Sequence, residues 1–233
     1  MDSDNKYTIM QRTYYENTAH LMAETNHMAH NSNPNLWFIL FKDCVNFEKN
    51  SNKIAFEFGC GCGRNIANLL RMNFKQVDGC DISLKNIKNA KKYLIDEFND
   101  IDKSKLYVTN GIELNGVDSN KYDYIISTIV LQHIAVYEIR YNILKEIYRI
   151  MKKDGIFSFQ MGFDYHTHDI YKIEYTDNFY EAEGTNGYFD VIVTNPDQII
   201  NDLREIGFKN ISYEINEPFC DNHHKWIYVR CVK

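Results

Sequence analysis

The chain has 233 residues, enough for one α/β domain with elaborations and a substantial core. Its 32 acidic residues outnumber 26 basic ones and leave a net charge of −6, so no general basic field draws in a phosphate backbone, and composition speaks against nucleic acid as a partner. Six cysteines are scattered without a disulfide framework; with no opening signal peptide and no apolar run of bilayer length, the expectation is a cytoplasmic protein that does not enter a membrane.

Residues 1–49 precede the first strand. Tyr14 to Met28 and Leu36 to Phe47 have helical apolar spacing, separated by the breaker-rich HNSNPN. A lead-in this short is expected to form an N-terminal helical cap beside the sheet or over a pocket. Tyr14 and Tyr15 on it are candidates for touching a substrate, although helix tyrosines more often serve packing.

Lys53 to Arg64, KIAFEFGCGCGR, joins a short apolar strand to a glycine turn, and Asn65 to Met72 follows as a helix. Missing Cβ atoms let a ligand approach the backbone, and the helix N-terminus offers free N–H donors. A dinucleotide turn would put its third glycine at Arg64, and a P-loop would need GK followed by Ser or Thr, so neither fits. Glu57, Gly59, Gly61 and Gly63 form ExGxGxG, which resembles motif I of class I S-adenosylmethionine-dependent methyltransferases. The resemblance implies that these residues hold the methionine and ribose parts of that cofactor. Cys60 and Cys62 fill the variable turn positions, where small side chains are needed, and no second close pair completes a metal site.

Gln76 to Ile82 reads as the second strand, with Ser83 capping a helix over Leu84 to Phe98. Asp81 therefore ends a strand about twenty residues past the glycine turn, where a carboxylate can take both ribose hydroxyls. It corresponds to the acidic residue of motif II in the resembled family, with Ile82 against the adenine. A third strand, Leu106 to Thr109, leads to Asn110 and Gly111. Family members commonly carry Asp where Asn110 stands; its amide oxygen can accept the same bond from the adenine amino group.

Lys121 to Val130 is the most apolar strand and runs into Leu131, Gln132, His133 and Ile134, resembling motif IV, which faces the transferred methyl. His133 is the candidate general base, since imidazole takes a proton near neutral pH; the competing reading is a backbone hydrogen bond. Gln132 stands beside it as a candidate substrate contact. Tyr137 to Met151 is helical, KKDG turns, and Ile156 to Gln160 is a fifth strand.

Periodicity fails from Met161 to Thr194, a stretch too long for an ordinary connection and too aromatic for a solvated linker. It is expected to be an insertion covering the pocket, with Tyr165 and His166 as candidate substrate residues. His166 with His168, two apart in an irregular segment, fixes no metal geometry, so no metal is expected. Asn195 to Ile206 is a helix closed by Gly207, and Phe208 to Ile215 and Trp226 to Val232 form a terminal antiparallel pair turning near Asp221 to His224.

The expectation is a Rossmann-like, doubly wound α/β fold with seven strands, the last reversed: cap 1–49, methyltransferase domain 50–233, insertion 161–194. The resemblance implies S-adenosylmethionine as cofactor and methyl transfer to a small molecule such as a sugar or secondary-metabolite intermediate. A protein methyltransferase and a non-catalytic S-adenosylmethionine-binding protein stay open beside it. TIVLQH lacks the paired prolines of nucleic-acid base methyltransferases.

Overall fold

The computed structural model describes residues 6–29, 40–44, 46–99, 101–165, 172–179, 187–216 and 225–233. Its elements are helix α1 (Lys6–Ala29), a 3₁₀ turn at Lys42–Cys44, α2 (Phe47–Asn50), β1 (Ile54–Phe58), α3 (Arg64–Arg71), β2 (Gln76–Asp81), α4 (Leu84–Phe98), β3 (Leu106–Val108) and β4 (Tyr122–Ser127). A 3₁₀ turn at Leu131–His133, α5 (Tyr137–Ile150), β5 (Met151–Phe163), β6 (Lys172–Glu174), β7 (Asp190–Val193), α6 (Pro196–Ile206), β8 (Lys209–Asn216) and β9 (Lys225–Val232) follow.

The seven expected strands form one sheet in the order β3-β2-β1-β4-β5-β9-β8, parallel from β3 to β5, with β9 antiparallel to both neighbours. Alternation along each strand divides the core in two. Phe56 and Ile125 point into a cluster beneath α5 and α6, whereas Ala55, Tyr124 and Ile126 point into another beneath α3 and α4. Gly79 marks where that second layer is tightest, since a Cβ there would lie 2.7 Å from Ile66.

Local chemistry closes the elements. Ser83 Oγ accepts from the Asn86 N–H as the N-cap of α4, and Asn195 with Gln198 makes a capping box at α6. Gly207 ends α6 in the left-handed region at φ 116°.

Three expectations change. The segment Leu36 to Phe47 does not continue as a helix past Leu40: the chain bends at Phe41 and makes a 3₁₀ turn before α2 begins at Phe47. Tertiary donors have taken the carbonyls a helix would use, with Tyr124 Oη donating to Leu40 O and Asn50 Nδ2 donating to Cys44 O. The fifth strand is longer than Ile156 to Gln160, because β9 pairs with it from Ile156 to Phe163. The boundary of the insertion therefore moves, as Met161 to Phe163 belong to β5.

Within the insertion, β7 pairs with the last two residues of β5, Gly162 and Phe163, on the edge that β4 occupies lower down, and β6 pairs with β7. This places a short parallel extension above the C-terminal end of β4. HNSNPN, His166, His168 and the turn Asp221 to His224 lie outside the described residues.

Candidate active site

A cavity of about 360 Å³ opens at the C-terminal ends of β1, β2 and β4, where open α/β sheets collect ligands. Its floor is the glycine turn. Gly59 has φ 73° and a Cβ there would sit 2.3 Å from Val130 Cγ2, so the turn and the β4 loop touch through missing atoms. Gly61 lines the cavity at φ 50°, and a Cβ there would meet nothing within 4 Å.

Two carboxylates face this floor. Asp81 Oδ2 accepts from the Gly61 N–H at 3.0 Å, while Oδ1 accepts from the Ser83 N–H at 2.8 Å and Asn86 Nδ2 at 3.2 Å. It thus ties turn to helix while lining the cavity; burial raises its pKa and the three donors oppose the rise. Glu57 is 2 % exposed. Its Oε1 accepts from Asn65 Nδ2 at 2.7 Å, and Asn65 also reaches Thr128 Oγ1 at 2.9 Å. The other oxygen, Oε2, is buried without a hydrogen-bond partner. Burial pushes the Glu57 carboxyl up to about 8 against the Asn65 bond and the nearby Arg64 cation.

Of the expected cofactor residues, Glu57, Gly59, Gly61, Asp81, Ile82 and Gly111 all line the cavity. Gly63 does not; it starts α3 in the left-handed region at φ 84°. Asn110 is a correction. Its Oδ1 accepts from the Ile112 and Glu113 N–H groups, both at 2.9 Å, so the side chain closes its own loop, and Thr109 lines the cavity instead.

The acceptor side is assembled from distant segments. His133 lines the cavity from the 3₁₀ turn after β4 and is 5 % exposed. Its Nδ1 lies 2.6 Å from Phe189 O and 3.3 Å from Asp190 Oδ1. An N–H at Nδ1 donating to that carbonyl leaves the Nε2 lone pair as the ring's acceptor. Tyr188 packs on the ring with centroids 4.7 Å apart. The backbone hydrogen bond of the competing reading is thus made at Nδ1.

Tyr15 lines the cavity, whereas Tyr14 packs against Tyr15 and Tyr188 beside it. Gln132 and Tyr165 are corrections. Gln132 is buried with Oε1 accepting from Gln160 Nε2 at 2.9 Å, and Gln160 Oε1 in turn accepts from the Ile129 N–H at 2.7 Å. The pair braces a cavity-lining residue held at φ 56°, a conformation costly for a β-branched side chain. Tyr165 is 63 % exposed and stacks edge-on against Phe163; it is absent from the lining.

Sequence reading missed three further groups. Gln11 lines the cavity and donates through Nε2 to His133 O at 2.6 Å. Tyr7 Oη accepts from the Ala135 N–H at 2.6 Å. Arg140 is 1 % exposed and donates to Ile134 O and Tyr175 O, tying the His133 turn to the insertion. Burial lowers its pKa to about 10. The helical spacing of α1 carried no mark for Gln11 or Tyr7, but a cation amid the apolar face of α5 was a legible signal for Arg140.

The match of residues 56–159 to a family model described as a methyltransferase domain agrees with this geometry in every segment that builds the floor. Over that stretch the chain is similar to methyltransferase domains of the class I S-adenosylmethionine-dependent kind. The chain as a whole resembles in fold a Haemonchus contortus phosphoethanolamine N-methyltransferase 2 solved with phosphomonomethylethanolamine and S-adenosylhomocysteine, at TM-score 0.71 and 19% identity. The similarity covers 96% of this chain and 60% of that one, so this chain spans about three fifths of that enzyme's length. A Burkholderia thailandensis 1,6-didemethyltoxoflavin-N1-methyltransferase, with bound 1,6-didemethyltoxoflavin and S-adenosylhomocysteine, matches at TM-score 0.67 and 13% identity over 98% of this chain and 89% of its own. The [4+2]-cyclase SpnF shares the fold at TM-score 0.60 and 15% identity, over 83% of this chain and 79% of its own. No curated protein matches this chain by sequence. Among the described residues no helix is long and apolar enough to cross a membrane, and no group of three His, Cys, Asp or Glu is placed to hold a metal ion.

Proposed function

We propose that the protein transfers the methyl group of S-adenosylmethionine to a small molecule bound between the glycine turn and His133, beneath α1 and the insertion. The observation that carries this reading is the cavity-lining imidazole, whose Nδ1 is held by Phe189 O while Nε2 is left as a proton acceptor. The cofactor's binding groups suit the residues present. The partnerless Glu57 Oε2 is a buried anion site for an α-ammonium group, Asp81 retains lone pairs for ribose hydroxyls, and Gly61 leaves room that a side chain would fill.

When bound, S-adenosylmethionine supplies an activated methyl on a sulfonium. The protein's work is then to align the acceptor, exclude water and receive a proton where the acceptor carries one. Ile82 and Gly111 form the adenine end. At the other end Tyr15, Gln11 and the brace from Gln160 to Ile129 hold the wall that faces the acceptor. The cap and insertion act as one cover over a cofactor-binding base, and a cavity of about 360 Å³ suits a small acceptor beside the cofactor.

Calorimetry tests the cofactor half. S-adenosylhomocysteine should bind with micromolar affinity, about −8 kcal/mol, and Asp81→Ala should weaken it at least tenfold. Incubation with S-adenosylmethionine and a metabolite extract, followed by mass spectrometry, should yield S-adenosylhomocysteine and a product heavier by one CH₂. An Asp81→Ala protein that binds like the wild type would sink the assignment.

A further inference from the structure

Building on the reading of His133 as proton acceptor, we infer that Asp190 is a positioning residue for that imidazole, holding it to receive a proton from the methyl acceptor. Asp190 Oδ1 lies 3.3 Å from His133 Nδ1, and the adjacent residue of the same rim contributes the Phe189 carbonyl at 2.6 Å. One nitrogen thus has a carbonyl in hydrogen-bond geometry and a carboxylate oxygen at ion-pair distance, from neighbouring residues. The side chains are 7 % and 15 % exposed, so their interaction is weakly screened by water.

A neutral imidazole needs one acceptor to fix its tautomer, and Phe189 O supplies it. A second acceptor that carries a full negative charge matters most once the ring becomes an imidazolium. Asp190 therefore favours the state that follows proton capture. A hydroxyl, a ring N–H and a basic amine that is protonated near neutral pH all transfer or shed a proton as they take the methyl, so each can use this arrangement.

The step balances on the groups named. The acceptor O or N forms a bond to the methyl carbon, and the C–S bond breaks with its electron pair retained by sulfur, which becomes a neutral thioether. The acceptor proton moves to His133 Nε2, and the imidazolium rests against Asp190 and Phe189 O.

The competing role for Asp190 is to tie β7 to the 3₁₀ turn, and two readouts separate them. In the S-adenosylhomocysteine complex, the His133 Nδ1–H proton resonance, assigned by its loss in His133→Gln, should lie far downfield. It should move upfield in Asp190→Asn and return toward the wild-type position in Asp190→Glu, with S-adenosylhomocysteine affinity within about threefold throughout. With the acceptor found by the product screen, Asp190→Asn should lower kcat about 10- to 100-fold and leave KM nearly unchanged. A fall in kcat of that size in Asp190→Asn, with the resonance moved as described, would support the inference whichever proton-bearing group is methylated. An unmoved resonance in a variant that still binds S-adenosylhomocysteine would overturn it, as would an acceptor turned over equally by both proteins. Loss of S-adenosylhomocysteine binding by the wild-type protein would instead sink the methyltransferase reading on which it rests.

Discussion

Glu57→Gln should make the cofactor-free protein more stable above neutral pH and a poorer binder. The carboxyl is buried with Oε2 unpaired, and its pKa rises from 4.5 to about 8. Below pH 4.5 both folded and unfolded chains hold the proton, so burial of the group carries no ionisation penalty. As pH rises further the unfolded chain releases the proton while the folded chain retains it, and stability falls until the folded group also ionises near 8. At pH 7 about 2.5 units at ~1.4 kcal/mol each give a cost of roughly 3 kcal/mol. Glutamine removes that cost, but its amide nitrogen in the place of Oε2 finds no acceptor, which returns about 1–2 kcal/mol. The net gain is about 1–2 kcal/mol, or roughly 2–8 °C in Tm for a chain of this size.

Thermal and urea melts without cofactor at pH 4.5 and 8.5 measure this. The advantage of Glu57→Gln should be small at the lower pH and largest at the higher. Calorimetry in buffers of different ionisation enthalpy gives a second readout, because an ammonium group arriving at Oε2 favours the carboxylate. S-adenosylhomocysteine binding at pH 7 should release close to one proton from the wild type and none from the variant, whose affinity should fall about 10- to 100-fold. An advantage of equal size at both pH values, or no advantage at 8.5, would refute the argument.

The two inner glycines of the turn should fail differently. Gly59→Ala drives a Cβ into Val130 at positive φ, for a loss of about 2–4 kcal/mol in urea melts. Gly61→Ala meets open space and should cost only about 1 kcal/mol, yet lower S-adenosylhomocysteine affinity at least tenfold in the same calorimetric assay. Arg140→Met leaves the carbonyls of Ile134 and Tyr175 without their buried donor, and should shift the urea midpoint by the equivalent of about 3–5 kcal/mol. Arg140→Lys, which keeps the charge and fewer donors, should fall between.

The cofactor half was legible because its signals are local. The Gly59, Gly61 and Gly63 spacing states a backbone requirement, and Asp81 follows at the strand end that the α/β period locates. Apolar runs and caps such as Ser83, Asn195 and Gly207 marked most of the seven strands and their helices. The acceptor half was not legible, since its contacts join segments far apart in the chain: Gln11 with His133, His133 with Phe189 and Asp190, Arg140 with Tyr175. Asn110 shows the limit of carrying a role over by position, because an Asn amide has a nearer option than a ligand in the N–H groups two and three residues on. Strands of three and four residues such as β6 and β7 have too few positions to display alternation, and exist because the tip of β5 offers them an edge.

That tip separates two histories of change. Strand β5 commits its lower length to β4 and its opposite edge to β9, while only Gly162 and Phe163 are lent to the insertion. The segment joins the sheet through two residues of β5, and its other ties run to α5, α6 and the His133 turn rather than to the strand register. New acceptor pockets can be tried on this chassis while the cofactor stays where it was. Any such change bears on His133, which belongs by its turn to the stretch the family model matches but takes its Nδ1 partners from the insertion, so a graft must bring its own carbonyl and carboxylate to the same spot.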